Sequence, residues 1–180
     1  MATDHAALSE VTAALQFAAR KHRQQRRKDP ERTPYINHPI ELLNILANEA
    51  EIDDVIVLIS SLLHDTVEDT DTTLAEITTL FGEEVATVVA QITDDKSLPK
   101  AIRKQLQVEH AASVSDRAKL VKLADKIANV RDLAIAPPLD WSPERQWEYC
   151  DWGKRVVDRM RGTHAGLETL FDQAYAAAIR

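Results

Sequence analysis

Val55-Ile56-Val57-Leu58-Ile59-Ser60-Ser61-Leu62-Leu63-His64-Asp65-Thr66-Val67-Glu68-Asp69-Thr70 decides how the rest of the chain is read. Its first nine residues are apolar apart from Ser60 and Ser61, as a buried helical segment requires. His64, Asp65, Glu68 and Asp69 then fall within six positions. On a helix His64 and Glu68 are four apart, Asp65 and Glu68 three, and Asp65 and Asp69 four, so the set shares one broad face. Ionisable groups at the inner end of a buried segment are costly unless a metal or a catalytic role uses them. The stretch therefore reads as core and chemistry meeting on one helix.

Outward from it, the composition is that of an all-α protein. With 4 Gly and 7 Pro in 180 residues, few aromatics and recurrent three- and four-residue apolar spacing, the chain predicts a compact bundle of about eight to nine helices in a single domain, residues 1–180. The single cysteine, Cys150, excludes an internal disulfide and points to a reducing, cytoplasmic setting. No apolar run approaches the roughly 18 residues of a membrane span, and the N-terminus lacks the basic and apolar regions of a signal peptide, so no membrane association or export is expected. A net charge of −7 opposes general attraction to nucleic acid, and any anion site has to be local.

The first helix is predicted over about Ser9 to Arg26. Arg20, Lys21, Arg23, Arg26, Arg27 and Lys28 place six of the 22 positive charges within nine positions. They read either as a solvated helix end that complements the helix dipole or as a phosphate-binding patch. The Pro-rich stretch from Asp29 to Pro39 is a loop, and Pro39 suits the start of a helix running to about Glu49. His38 stands at that entrance, as a cap or as a fixed metal ligand.

Beyond the central stretch, Thr73-Leu74-Ala75-Glu76 is a capping box whose helix closes at Phe81-Gly82. Further helices are expected over Glu83 to Ile92, Pro99 to Ala112, Arg117 to Asp132, from Ser142-Pro143 onward, and Thr163 to Ala178. In the helix from Arg117 to Asp132, Leu120, Leu123, Ala124, Ile127 and Val130 mark an inward stripe. Asp125 flanks it, and its value depends on what lies opposite. Trp147, Tyr149 and Trp152 read as packing aromatics.

His38, His64, Asp65 and Asp125 taken together offer two imidazoles and two carboxylates, a set suited to a divalent ion such as Mn²⁺ with open positions rather than to structural zinc. Such an ion polarises a phosphoryl oxygen and acidifies a bound water, so hydrolysis is the natural reaction. Glu68 and Asp69, one turn on, are then free to orient or deprotonate that water.

These residues carry a resemblance. His64-Asp65 with an upstream His38 and a downstream Asp125 resembles the HD-domain phosphohydrolases. Arg27-Lys28-Asp29, Thr33-Pro34-Tyr35-Ile36-Asn37-His38-Pro39, His64 to Thr70 and Lys122 to Leu133 resemble the hydrolase domain of the RelA/SpoT alarmone enzymes, above all the stand-alone small alarmone hydrolases, from about Ala18 to the last helix. The resemblance implies one Mn²⁺ per chain on His38, His64, Asp65 and Asp125, with Glu68 and Asp69 as the catalytic pair. It also implies Arg27, Lys28, Lys100, Asn129, Arg145 and Tyr149 around a guanine nucleotide, whose 3′-pyrophosphate (in ppGpp or pppGpp) is hydrolysed to leave GDP or GTP. Ala128 departs from the tyrosine of animal relatives. A synthetase domain is not expected. NADPH 2′-phosphatase or another nucleotide phosphohydrolase activity is the alternative, with a non-catalytic nucleotide sensor behind it, and the sequence leaves the oligomeric state open.

Overall fold

The computed structural model describes residues 2–179. Among them lie ten α-helical segments and no β-strand: α1 (Ala2–Lys21), α2 (Asn37–Asn44, continued by a π-helical turn, Ile45–Glu49), α3 (Val55–Leu63), α4 (Thr66–Asp69), α5 (Leu74–Phe81), α6 (Glu83–Ile92), α7 (Lys100–His110), α8 (Asp116–Ile135), α9 (Pro143–Asp158) and α10 (Ala165–Ala178). All except the single turn α4 have eight residues or more. The all-α expectation holds, and no described helix is long and apolar enough to cross a membrane.

Local chemistry sets most of the boundaries. Asp54 caps α3 by accepting from the Ile56 and Val57 amides at 3.0 and 3.4 Å, and Ser142 caps α9 through the Arg145 amide at 3.3 Å. Thr73 caps α5 through Glu76 N, but the Glu76 carboxylate pairs with Lys21 at 3.2 Å, which leaves the capping box half formed. Between α5 and α6, Gly82 at φ +90° occupies a conformation that a side chain would strain. His164 caps the last helix, accepting from Leu167 N at 3.2 Å.

The core has two connected parts. One surrounds α8 with Leu42, Ile45, Leu46, Val156, Val157, Leu167 and Phe171, and the other joins α1, α3, α5 and α6 through Phe17, Leu62, Leu63, Ile77 and Val89. Helix α3 feeds both, Val57 into the first and Ile59 into the second. Helix α8 is the axis. It does not have the single inward stripe expected of it, because packing against α2, α3, α6, α9 and α10 buries Val121, Lys122, Leu123, Ala124, Lys126, Ile127, Ala128, Val130 and Leu133. Ala128 is therefore core.

Three further expectations are corrected. Helix α1 ends at Lys21, not Arg26, because the backbone beyond it finds partners in residues 33–35: Arg27 N donates to Thr33 O at 2.8 Å and Tyr35 N to Gln25 O at 3.1 Å. Arg26, Arg27 and Lys28 consequently lie on a loop and do not complement a helix dipole. The helix through the central stretch breaks at His64-Asp65 because side chains take up its carbonyls. Thr66 Oγ1 bonds Leu63 O and His64 Nδ1 bonds Ser61 O, and Asp65 sits at φ −101°, ψ −2°. Trp147 is 55 % exposed rather than packed.

Candidate functional site

The inner end of α3 delivers His64 against the middle of α8, and the 22–36 loop with α2 closes over both. His38 and His64 are buried, with ring centroids 5.2 Å apart. One donor atom from each of His38, His64 and Asp65 lies within 4.8 Å of the others, and Asp125 Oδ1 stands 3.2 Å from His38 Nε2. The sequence-predicted quartet is thus brought together from α2, the α3–α4 turn and α8.

A carbonyl only accepts, so the 2.8 Å contact of His64 Nδ1 with Ser61 O places a proton on Nδ1, and in the neutral ring Nε2 is then a lone pair. That Nε2 is buried with no hydrogen-bond partner, although Asp65 Oδ2 is only 2.8 Å away. Two electron-rich atoms facing each other in this way fit a shared divalent cation. With the ring protonated, the same two atoms form an ion pair. Burial favours the neutral ring of His64, but Asp65 outweighs it and raises the His64 pKa to about 9. Burial likewise works against ionised Asp65 and Asp125, and the neighbouring imidazoles, together with Lys126 beside Asp125, more than offset it and hold both carboxyls below their usual range.

Residues outside the predicted set support this cluster. Tyr35 donates its hydroxyl to Asp65 Oδ2. Lys126, buried under the Trp152 ring at 4.5 Å, bonds Asp125 Oδ2 at 2.7 Å, and Asn129 donates to Asp125 Oδ1 at 2.6 Å. Gln25 donates to Asp69 O and contacts His22 Nδ1, both at 2.6 Å, which ties the basic loop to the α4 turn. Tyr35 was open to detection by its three-residue spacing from His38. Lys126 and Lys122 read as solvated lysines until α8 is known to be central.

Glu68 and Asp69 follow on α4. Glu68 accepts from Asp94 N at 3.2 Å and from Arg103 at 3.4 Å, and Asp69 pairs with Lys96. Burial first, then the Asp65 charge, raises the Glu68 pKa. A hollow of about 50 Å³ lies among His64, Asp65, Glu68, Lys122, Asp125 and Lys126.

On the other side of Asp125 opens a cleft of about 280 Å³, lined by Arg27, Lys28, Lys100, Asn129 and Tyr149 and ending in Leu133, Ala136, Pro138 and Trp141. Five of the six predicted substrate residues line it. Arg145 stands outside, its guanidinium 4.5 Å from the Trp141 ring centroid. Arg27 is anchored to Asn129 at 3.2 Å and Asp132 at 2.5 Å. Burial and the neighbouring cations Arg145, Lys28 and Arg103 lower the Lys100 pKa. In an acidic protein this is the local concentration of positive charge that an anionic ligand requires.

The HD domain family pattern matches residues 14–148. The guanosine-3′,5′-bis(diphosphate) 3′-pyrophosphohydrolases MESH1 of Danio rerio and Homo sapiens are 56% and 57% identical to this chain over 161 and 160 residues, in each case 89% of both chains. A solved structure described as a metazoan ortholog of SpoT that hydrolyzes ppGpp superposes with a TM-score of 0.90 at 52% identity, covering 93% of this chain and 94% of that one.

Proposed function

We infer the activity from a premise that the matches establish: the chain belongs to the HD domain family, at more than half identity to relatives named as 3′-pyrophosphohydrolases. It is a metal-dependent enzyme that hydrolyses the 3′-pyrophosphate of guanosine tetra- or pentaphosphate, giving GDP or GTP and pyrophosphate. The carrying observation is the buried, unpartnered His64 Nε2 among His38, Asp65 and Asp125, set between a small acid-lined hollow and a cation-lined cleft.

His38, His64, Asp65 and Asp125 would hold the ion, which we take as Mn²⁺. When bound it supplies Lewis acidity and lowers the pKa of a coordinated water from about 15.7 towards 7. The remaining steps belong to the chain. Arg27, Lys28 and Lys100 hold the nucleotide phosphates, with Arg27 held in place by Asn129 and Asp132 so that less freedom is lost on binding. Glu68 accepts the proton of the attacking water, a task for which burial has made it more basic than an ordinary carboxylate, and Asp69 orients that water. Water attacks the phosphorus attached to the ribose 3′-oxygen, the P–O3′ bond breaks, and the 3′-oxygen leaves with the proton that Glu68 accepted. Tyr35 keeps Asp65 turned towards the cluster. The buried, free Cys150 supports a reducing, cytoplasmic setting for this reaction.

The test is turnover of ppGpp and of NADPH by the Mn²⁺-loaded protein, with products resolved by anion-exchange chromatography. GDP and pyrophosphate are expected from ppGpp. A higher kcat/KM for NADPH, with orthophosphate released, would replace this reading with the 2′-phosphatase.

A further inference from the structure

Lys122 has no part in the reaction as just described, yet its placement is costly. It is 8 % exposed and has no ion pair or hydrogen bond among the described residues, whereas Lys126 on the same helix is paired with Asp125 at 2.7 Å. Lysine side chains this enclosed are rare unless paired. The acids around it are already engaged, Asp125 by Lys126, Asn129 and His38, Glu68 by Arg103 and the Asp94 amide, and Asp94 by Gln107 at 2.8 Å and Arg103 at 3.6 Å. Lys122 lines the 50 Å³ hollow that holds Glu68, and it also lines an adjoining hollow of about 210 Å³ between α6 and α7.

Its register on α8 supplies the second argument. Asn129, Asp125 and Lys122 are separated by four and three residues and so share one face, rising roughly 1.5 Å per residue. Asn129 lines the nucleotide cleft, Asp125 belongs to the metal cluster, and Lys122 lies a further turn beyond. The order along the helix is nucleotide, cleaved bond, unpaired cation.

We propose that Lys122 completes an anion subsite for the distal phosphoryl group of the 3′-pyrophosphate, on the far side of the metal cluster from the ribose. This rests on the pyrophosphohydrolase reading and deepens it. The distal group lies one bridging oxygen past the attacked phosphorus and carries a charge that a 2′- or 3′-monophosphate lacks there. An unpaired ammonium at that point favours pyrophosphoryl over monophosphoryl substrates.

The experiment is calorimetric titration of inorganic pyrophosphate and of orthophosphate into the Mn²⁺-loaded full chain, for the parent, Lys122→Met and Lys122→Gln. Pyrophosphate affinity should fall on the order of 10-fold or more in both variants, as for loss of one charge-assisted hydrogen bond, with orthophosphate affinity close to the parent's. Unchanged pyrophosphate affinity in both variants, or an equal loss for the two anions, overturns the proposal. Lys122→Gln keeps a polar tip and decides the matter should Met disturb the fold. If the parent fails to turn over ppGpp, the proposed function falls, while the pyrophosphate titrations still test this subsite.

Discussion

Replacing Lys122 with Met should stabilise the protein, and the size of the gain follows from the site. Burial, and then the nearby Lys126, draw the Lys122 pKa from 10.5 down to about 8. Each pKa unit corresponds to about 1.4 kcal/mol, so keeping this ammonium charged at pH 7 costs the folded state about 3 kcal/mol. Met matches the length of the side chain without the charge and removes that cost. In a chain of this size the gain is a melting temperature higher by about 5–10 °C. The pH dependence has a definite sign. The folded pKa lies below the unfolded one, so between about pH 8 and 10.5 the unfolded chain binds more protons and parent stability rises with pH. The Met variant lacks that rise. The gap between the two should shrink from about 3 kcal/mol at pH 7 to about 1 kcal/mol at pH 10. Urea unfolding of chelator-treated protein, followed by circular dichroism at both values, measures it. A variant no more stable than the parent at pH 7, or a gap that does not change with pH, refutes the argument.

Glu68→Gln should retain Mn²⁺ binding and lose roughly 10²- to 10⁴-fold in kcat, the usual range for lost general-base help. The parent's kcat/KM should fall as pH drops through a pKa above 4.5, since burial raises that carboxyl and only the ionised form accepts a proton; a wild-type acid limb surviving in the Gln variant would clear Glu68 of the role. Tyr35→Phe removes the hydroxyl bonded to Asp65 and should weaken Mn²⁺ by something like 10- to 100-fold in a competition titration with a chelating dye. Leu62→Ala empties a fully buried position in the α1–α3–α6 core and should lower unfolding stability by about 2–5 kcal/mol, read from the urea midpoint.

Most of the fold was legible because its boundaries are written locally. Thr73, Ser142 and the Phe81-Gly82 stop act within four residues of the helices they delimit, and helix α6 runs over the predicted Glu83 to Ile92. What was not legible depends on distant partners. The end of α1 is set by residues 33–35, which periodicity within α1 does not register. The His64-Asp65 break comes from side chains competing for carbonyls inside an otherwise helical run. For the site, the donor types and their motifs were visible, whereas the cations that hold Glu68 and Asp69 come from Lys96 and Arg103, 27 to 35 residues on. Lysine is a solvated residue by default, so Lys122 and Lys126 became meaningful only once α8 proved to be enclosed.

The enclosure of α8 also explains how an acidic protein concentrates positive charge where an anion must bind. A helix on the surface would let Asp125, Asn129 and Asp132 relax into water, and their neighbours would be screened. Buried against five helices, α8 has fixed register, and the acidic and amide groups on its active face meet partners from other elements. Arg27 answers Asn129 and Asp132, His38 answers Asp125, and the α3–α4 turn brings His64 and Asp65 opposite. A shift of one residue along this helix rotates its side chains by about 100° and would separate the anchor of Arg27 from the cluster at Asp125. Packing and chemistry thus select the same register: the apolar contacts of Leu123, Ile127 and Val130 hold the helix in the one rotation at which the cation-lined cleft, the His–Asp cluster and the acid-lined hollow fall in line.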